Sequence, residues 1–267
     1  MKLHRVSAIV LRQFYLLRGS PSRILPMFAW VAIDIVLWGF FTRYLNGVTG
    51  EKAPIIGTLL GAVLLWDFLT RVMQGVTMAF FEDVWSRNFL NFFATPLRVS
   101  EYIAGLVVTG ILTSLLGLVA MILVANLVFD LSFAAYGLAL LPFVLVLFVF
   151  GLALGIAGAA LVLRFGPAAE WLIWPIPAIL SPFACVFYPM SVLPGWMQVI
   201  SHLLPASYVF EGMRAIVGGG GFDMATAALA TGLALIYLAG AVWLFFSVYR
   251  IAVRSGLIAR YSAEAVS

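Results

Sequence analysis

Residues 102–129 read YIAGLVVTGILTSLLGLVAMILVANLVF, a continuous apolar run with no charged side chain. A helix needs about 20 mainly apolar residues to cross the hydrocarbon of a bilayer, so this stretch predicts a membrane span. Four more long apolar runs accompany it: Ile24–Leu45, Ala53–Phe81, Ala135–Leu163 and Met224–Tyr249. The composition agrees, because 64% of the 267 residues are hydrophobic and only 10% are charged. A soluble domain of this length has roughly a quarter of its residues charged. So few charges cannot cover a water-facing surface, and most of the outer face must meet lipid.

The segment Trp171–Phe222 is also apolar but is broken by Pro175, Pro177, Pro182, Pro189, Pro194 and Pro205. Each proline removes a backbone donor and disfavours continued helix. Trp171 to about Tyr188 reads as a fifth span. The next thirty residues read as one or two half-helices dipping in from the outer side, since irregular backbone at membrane depth survives only against protein or a wet cavity. Gly218–Gly221 forms a turn before the last span. The expected fold is therefore all-α and integral to the membrane, one domain over 1–267. It comprises an N-terminal amphipathic interfacial helix (1–23), a six-span region (24–249) and a basic tail (250–267).

The net charge of +4 would suggest nucleic acid as a partner for a soluble protein. Here the basic residues instead set orientation. With the N-terminus cytoplasmic and six spans, the inner side receives Lys2, Arg5, Arg12, Arg18, Arg23, Arg87, Arg98, Arg164, Arg250, Arg254 and Arg260, and the outer side only Arg43, Lys52 and Arg214. Both termini are expected inside. The first twenty residues lack the apolar core and cleavage site of a signal peptide. On a helical wheel Leu3, Val6, Val10, Phe14 and Leu17 share one face and Lys2, Arg5 and Arg12 another. That arrangement fits a helix lying in the interface with its basic side toward anionic headgroups.

Between the second and third spans, Trp85, Phe89, Phe92 and Phe93 recur at helical spacing after Glu82 and Asp83, and Pro96 marks the stop. Acidic residues suit a helix start, so a short amphipathic cytoplasmic helix is expected. Asp34 stands near the middle of the first span, and Asp67 and Arg71, four apart on one helix face, are placed to pair. Charges at that depth are costly and are functional candidates by default. Glu211 and Arg214 form a further candidate pair. Gly57 with Gly61 and Gly151 with Gly155 offer small-residue helix contacts. Neither His4 nor His202 stands in a metal-ligand spacing. Cys185 is the single cysteine, and Lys2 and Lys52, the only lysines, do not belong to a phosphate-binding loop. No catalytic site and no metal are expected.

The run Phe81–Glu101, within FFEDVWSRNFLNFFATPLRVSEYI, resembles the intracellular coupling segment of type-2 ABC transporter permeases. The stretch FYPMSVLPGWMQVISHLLPASYVFEGMRAIVGG (187–219) is similar to that family's region between spans five and six. The resemblance implies a non-enzymatic permease subunit of an ATP-driven exporter in the bacterial inner membrane. It would act as a homodimer or with a similar chain, with ATP and Mg bound by a separate cytoplasmic subunit. Glu82, Asp83, Trp85, Arg87 and Asn88 would form the coupling helix, and Trp196, Tyr208, Glu211 and Arg214 the outer re-entrant region. The implied cargo is amphipathic: a drug, a lipid or a lipid-linked glycan. The residues alone leave two other readings open. One is an ion-coupled secondary transporter or channel relaying through Asp34, Asp67 and Arg71; the other is a non-transporting scaffold.

Overall fold

A computed structural model describes residues 2–19, 21–49, 55–85, 95–129, 140–166 and 169–256. Every regular element among them is helical. In chain order they are α1 (Leu3–Arg18), α2 (Pro21–Thr49), α3 (Ile55–Trp85), α4 (Val99–Phe129), α5 (Leu141–Phe165), α6 (Glu170–Ile173), α7 (Ile176–Leu180), α8 (Gly195–Leu203), α9 (Pro205–Val217) and α10 (Met224–Arg254). Among the described residues four stretches are long and apolar enough to cross a membrane: Leu59–Val84, Val99–Phe129, Leu141–Phe165 and Met224–Arg254. The 29-residue α2 measures about 43 Å at 1.5 Å per residue.

The central helix is α3. It packs against α5, α4 and α2, and α5 in turn packs against α10. Phe68, Leu69, Val72, Phe80, Phe150, Ile156, Phe210 and Phe245 form one buried cluster across these helices. Lipid tails are as apolar as these side chains, so close van der Waals fit rather than water exclusion holds spanning helices together. The closest seam joins α5 to α3. A Cβ placed on Gly155 would lie 2.8 Å from the Met73 carbonyl oxygen, and one on Gly151 would lie 2.9 Å from that of Leu69. The Thr77 hydroxyl donates across this seam to the Gly155 carbonyl at 3.3 Å. The expected Gly151/Gly155 contact is thus present within the chain. Gly61 by contrast meets only Met213 Sδ at 3.8 Å, and the packing of Gly57 lies outside what is described.

The proline-rich segment departs from the expected single fifth span. It is not one helix but two short pieces, α6 with 4 residues and α7 with 5. Helical bonding continues past α7, with Ser181 N donating to Pro177 O and Ala184 N to Leu180 O, both at 2.9 Å. It stops at Cys185, whose φ of 57° lies in the left-handed region that a residue with a Cβ rarely adopts. A 3-10 turn at Met190–Val192 leads into α8, and α9 follows after the extended Leu204. Gly219 and Gly221 turn with φ near 80° and 77°. Asp223 then caps α10 by accepting from the Ala225 and Thr226 amides at 3.0 and 3.2 Å. The Thr226 hydroxyl and these two amides hold the Asp223 carboxyl below the usual carboxylate range.

A Gly155→Ala substitution should therefore force α5 off α3 and destabilise the protein by about 1–3 kcal/mol, the usual penalty for overpacking. Gly232→Ala, where a Cβ meets nothing within 4 Å, should leave the melting temperature in detergent unchanged or raised.

Candidate functional site

Three polar clusters stand out against the apolar body, and α3 touches or contributes to each. The first lies where α3 ends and α4 begins. Asp83, in the last turn of α3, is 0% exposed. A carboxylate there opposes the partial negative charge of a helix C-terminus and has lost its water. Donors offset this: the Arg12 guanidinium binds Oδ1, and the Tyr102 hydroxyl donates to Oδ2 at 2.7 Å. Glu101, 1% exposed, sits at the third position of α4 and reaches back to the Arg98 amide at 3.1 Å, half of a capping box. It also accepts from the Lys2 amide at 2.8 Å and from Arg5 Nη1 at 3.1 Å. Arg5 donates in addition to the Pro96 carbonyl.

These bonds seat α1 across the ends of α3 and α4. A Cβ on Gly105 of α4 would lie 2.6 Å from Ile9. The basic side of α1 was expected to face lipid headgroups; Arg5 and Arg12 turn instead toward the protein's own carboxylates. Leu3, Leu11, Phe14 and Tyr15 form the exposed side. The five expected coupling residues separate accordingly. Glu82 is partly buried, Asp83 is buried within the cluster, and Trp85 closes α3, its side chain lying outside the described set. Arg87 and Asn88 lie outside the described residues.

The second cluster is at mid-depth. Arg71 Nε donates to Asp67 Oδ2 at 2.8 Å, the pairing expected from their spacing. The guanidinium stem lies against α4, where a Cβ on Gly117 would meet Arg71 Cδ at 3.3 Å. Asp34, on α2, interacts electrostatically with both.

The third cluster holds the broken segment. Arg214 Nη2 donates to the Cys185 carbonyl at 2.7 Å and to Glu211 Oε1 at 3.0 Å, while the same Glu211 oxygen accepts the Met190 amide at 2.6 Å. The Glu211–Arg214 pair is thus bound to the backbone of the bend as well as to itself. Tyr208 donates to the His202 carbonyl at 2.9 Å, satisfying one of the free carbonyls at the end of α8. Trp196 is 64% exposed and meets Phe183 edge-on. Met213, beside Arg214, touches Gly61, whereas Asp83 lies 22 residues further along α3, about 33 Å away. The first and third clusters therefore occupy opposite ends of the bundle.

The network around Asp83 and Glu101 went unforeseen because its partners are far apart in sequence. Its one legible sign was the seven-residue spacing of Arg5 and Arg12, which places both on one helix face. Residues 4–217 of the chain match the family model described as ABC-2 type transporter. No curated protein matches the chain.

Removing Arg12 should leave Asp83 buried without its guanidinium partner. Breaking a fully buried pair costs about 3–5 kcal/mol. Arg12 is 23% exposed, so Arg12→Ala should cost less, on the order of 2–3 kcal/mol, and release α1 to proteolysis. Adding Asp83→Asn should recover most of that loss, measured by thermal unfolding in detergent.

Proposed function

Because the chain belongs to the ABC-2 type transporter family, we propose that it is the membrane subunit of an exporter, moving an amphipathic molecule outward. The family role is that of the permease component of an ABC transporter, which works with a separate ATP-binding subunit. In our reading α2 and the broken segment 171–188 join the four long apolar helices to make six crossings. Both termini then face the cytoplasm of a bacterial inner-membrane protein, and two copies or two similar chains enclose the route.

The observation that carries this reading is the ionic seating of α1 against both flanks of residues 86–94. Asp83 holds Arg12 of α1 from one flank, and Pro96 and Glu101 hold Arg5 from the other, while Tyr102 ties the two flanks by donating to Asp83. A push delivered to that segment by a nucleotide-driven partner would reach α3, α4 and α1 together, through charge-assisted bonds that resist separation. Glu82 and the residues from Trp85 onward then meet the partner, while Asp83 acts as an internal strut. On the opposite end, α8 and α9, pinned by Glu211 and Arg214, stand at the exit of the route.

The test is reconstitution with the ATP-binding subunit that co-purifies from native membranes. Glu82→Lys should lower transport per ATP hydrolysed several-fold with folding intact. Asp83→Lys should instead fail at folding, because it buries two cations against each other. Unchanged coupling in Glu82→Lys would remove Glu82 from the docking surface. The absence of any co-purifying ATP-binding chain would overturn the exporter reading.

A further inference from the structure

At the centre of the helical body one cation faces two anions. Arg71 and Asp67 are bonded and only 11% and 18% exposed. Asp34 is half-buried, feels both charges, and makes no hydrogen bond or ion pair with any described residue. Among the described residues no other cation stands at this depth. The nearest along α2, Arg43, is nine residues on, about 14 Å, and the other described Lys and Arg lie in α1, near helix ends or in the α9 cluster. An ionised carboxylate in hydrocarbon is expensive unless it is paired. The cluster lacks one positive charge.

What lies beside Asp34 narrows the chemistry. Trp38 is four residues on, and therefore on the same face of α2. Its ring stacks on Phe187 with centroids 5.2 Å apart. Phe187 itself is 41% exposed. A carboxylate one turn from a pair of aromatic rings is the combination that attracts quaternary ammonium and similar soft cations, by charge and by the ring quadrupole. An inorganic cation would need oxygen ligands, and no group of three or more His, Cys, Asp or Glu side chains that could hold a metal ion occurs among the described residues.

We propose that Asp34, Trp38 and Phe187 form the binding site for the positively charged group of the transported amphipath, a compound with one ammonium-like or phosphonium-like centre on an apolar body. The Asp67–Arg71 pair stays closed and fixes the field at the site, while the arriving cation completes the charge balance at Asp34. This assignment of substrate class rests on the permease reading above.

The test uses the full chain in phosphatidylcholine nanodiscs, with empty discs as the blank. Its probes are tetraphenylphosphonium and tetraphenylborate, ions of nearly the same shape and opposite charge. Tetraphenylphosphonium should bind saturably, and tetraphenylborate should not. Asp34→Asn should weaken the phosphonium at least tenfold and Trp38→Leu several-fold, while Asp34→Glu retains most of the affinity and controls for folding. Equal binding of both ions, no saturable phosphonium binding, or an unaffected Asp34→Asn would each overturn the proposal. So would a protonated carboxyl infrared band that persists at saturating phosphonium and vanishes in Asp34→Asn, since a proton would then hold the site. The measurement needs neither ATP nor the partner subunit. Its failure leaves the permease reading standing, and loss of that reading would not alter the binding result.

Discussion

Hydrocarbon donates and accepts no hydrogen bonds, and this deficiency governs where the chain runs straight and where it bends. The four long apolar helices satisfy their own backbones and need little help from side chains. The stretch from α6 to α8 cannot do so, because its prolines remove donors and Cys185 leaves the helical region altogether. The groups thereby freed are met by specific partners. Arg214 takes the Cys185 carbonyl, Glu211 takes the Met190 amide, and Tyr208 takes the His202 carbonyl. The bend exists where α9 brings polar side chains to it.

The same rule explains the ionic network at the other end. Asp83 and Glu101 are carboxylates without water, at the ends of helices that could not otherwise tolerate them. For Glu101 the helix itself helps, because the N-terminus of α4 carries partial positive charge and the Arg98 amide is in reach. For Asp83 the helix works against it, and Arg12 and Tyr102 must supply the compensation. A lost partner should therefore cost more at Asp83 than at Glu101, which keeps two backbone donors when Arg5 is removed.

Much of this architecture could be read before any coordinates. The apolar run Tyr102–Phe129 lies within α4, and the last run starts with α10 at Met224, because long uncharged segments admit one interpretation in a bilayer. The Asp67–Arg71 pair follows from helical spacing alone, as does the Gly151/Gly155 contact face. Other features were hidden for physical reasons. A helical wheel shows that Arg5 and Arg12 share a face with Lys2 but not whether headgroups or carboxylates wait there. Burial of Asp83 depends on Arg12, 71 positions earlier, and on Tyr102, 19 positions later. Proline counts show that the Trp171–Phe222 segment must break, yet the break at Cys185 depends on a backbone conformation that its side chain disfavours.

The glycine seam between α3 and α5 has a consequence for how such a chain can change over generations. A methyl group at Gly151 or Gly155 collides with main-chain oxygen on α3, and no rotamer adjustment relieves a clash with backbone. The partner face is equally confined, since Val72 and Val76 fill the space those glycines leave. Substitution at this seam carries a steric penalty, while the exposed flanks of α2, α4 and α10, with Leu37, Phe40, Leu116, Leu123, Ile236 and Trp243, carry none for the packing of the single chain. Change in such a chain would therefore accumulate on the rim around a core that stays nearly fixed.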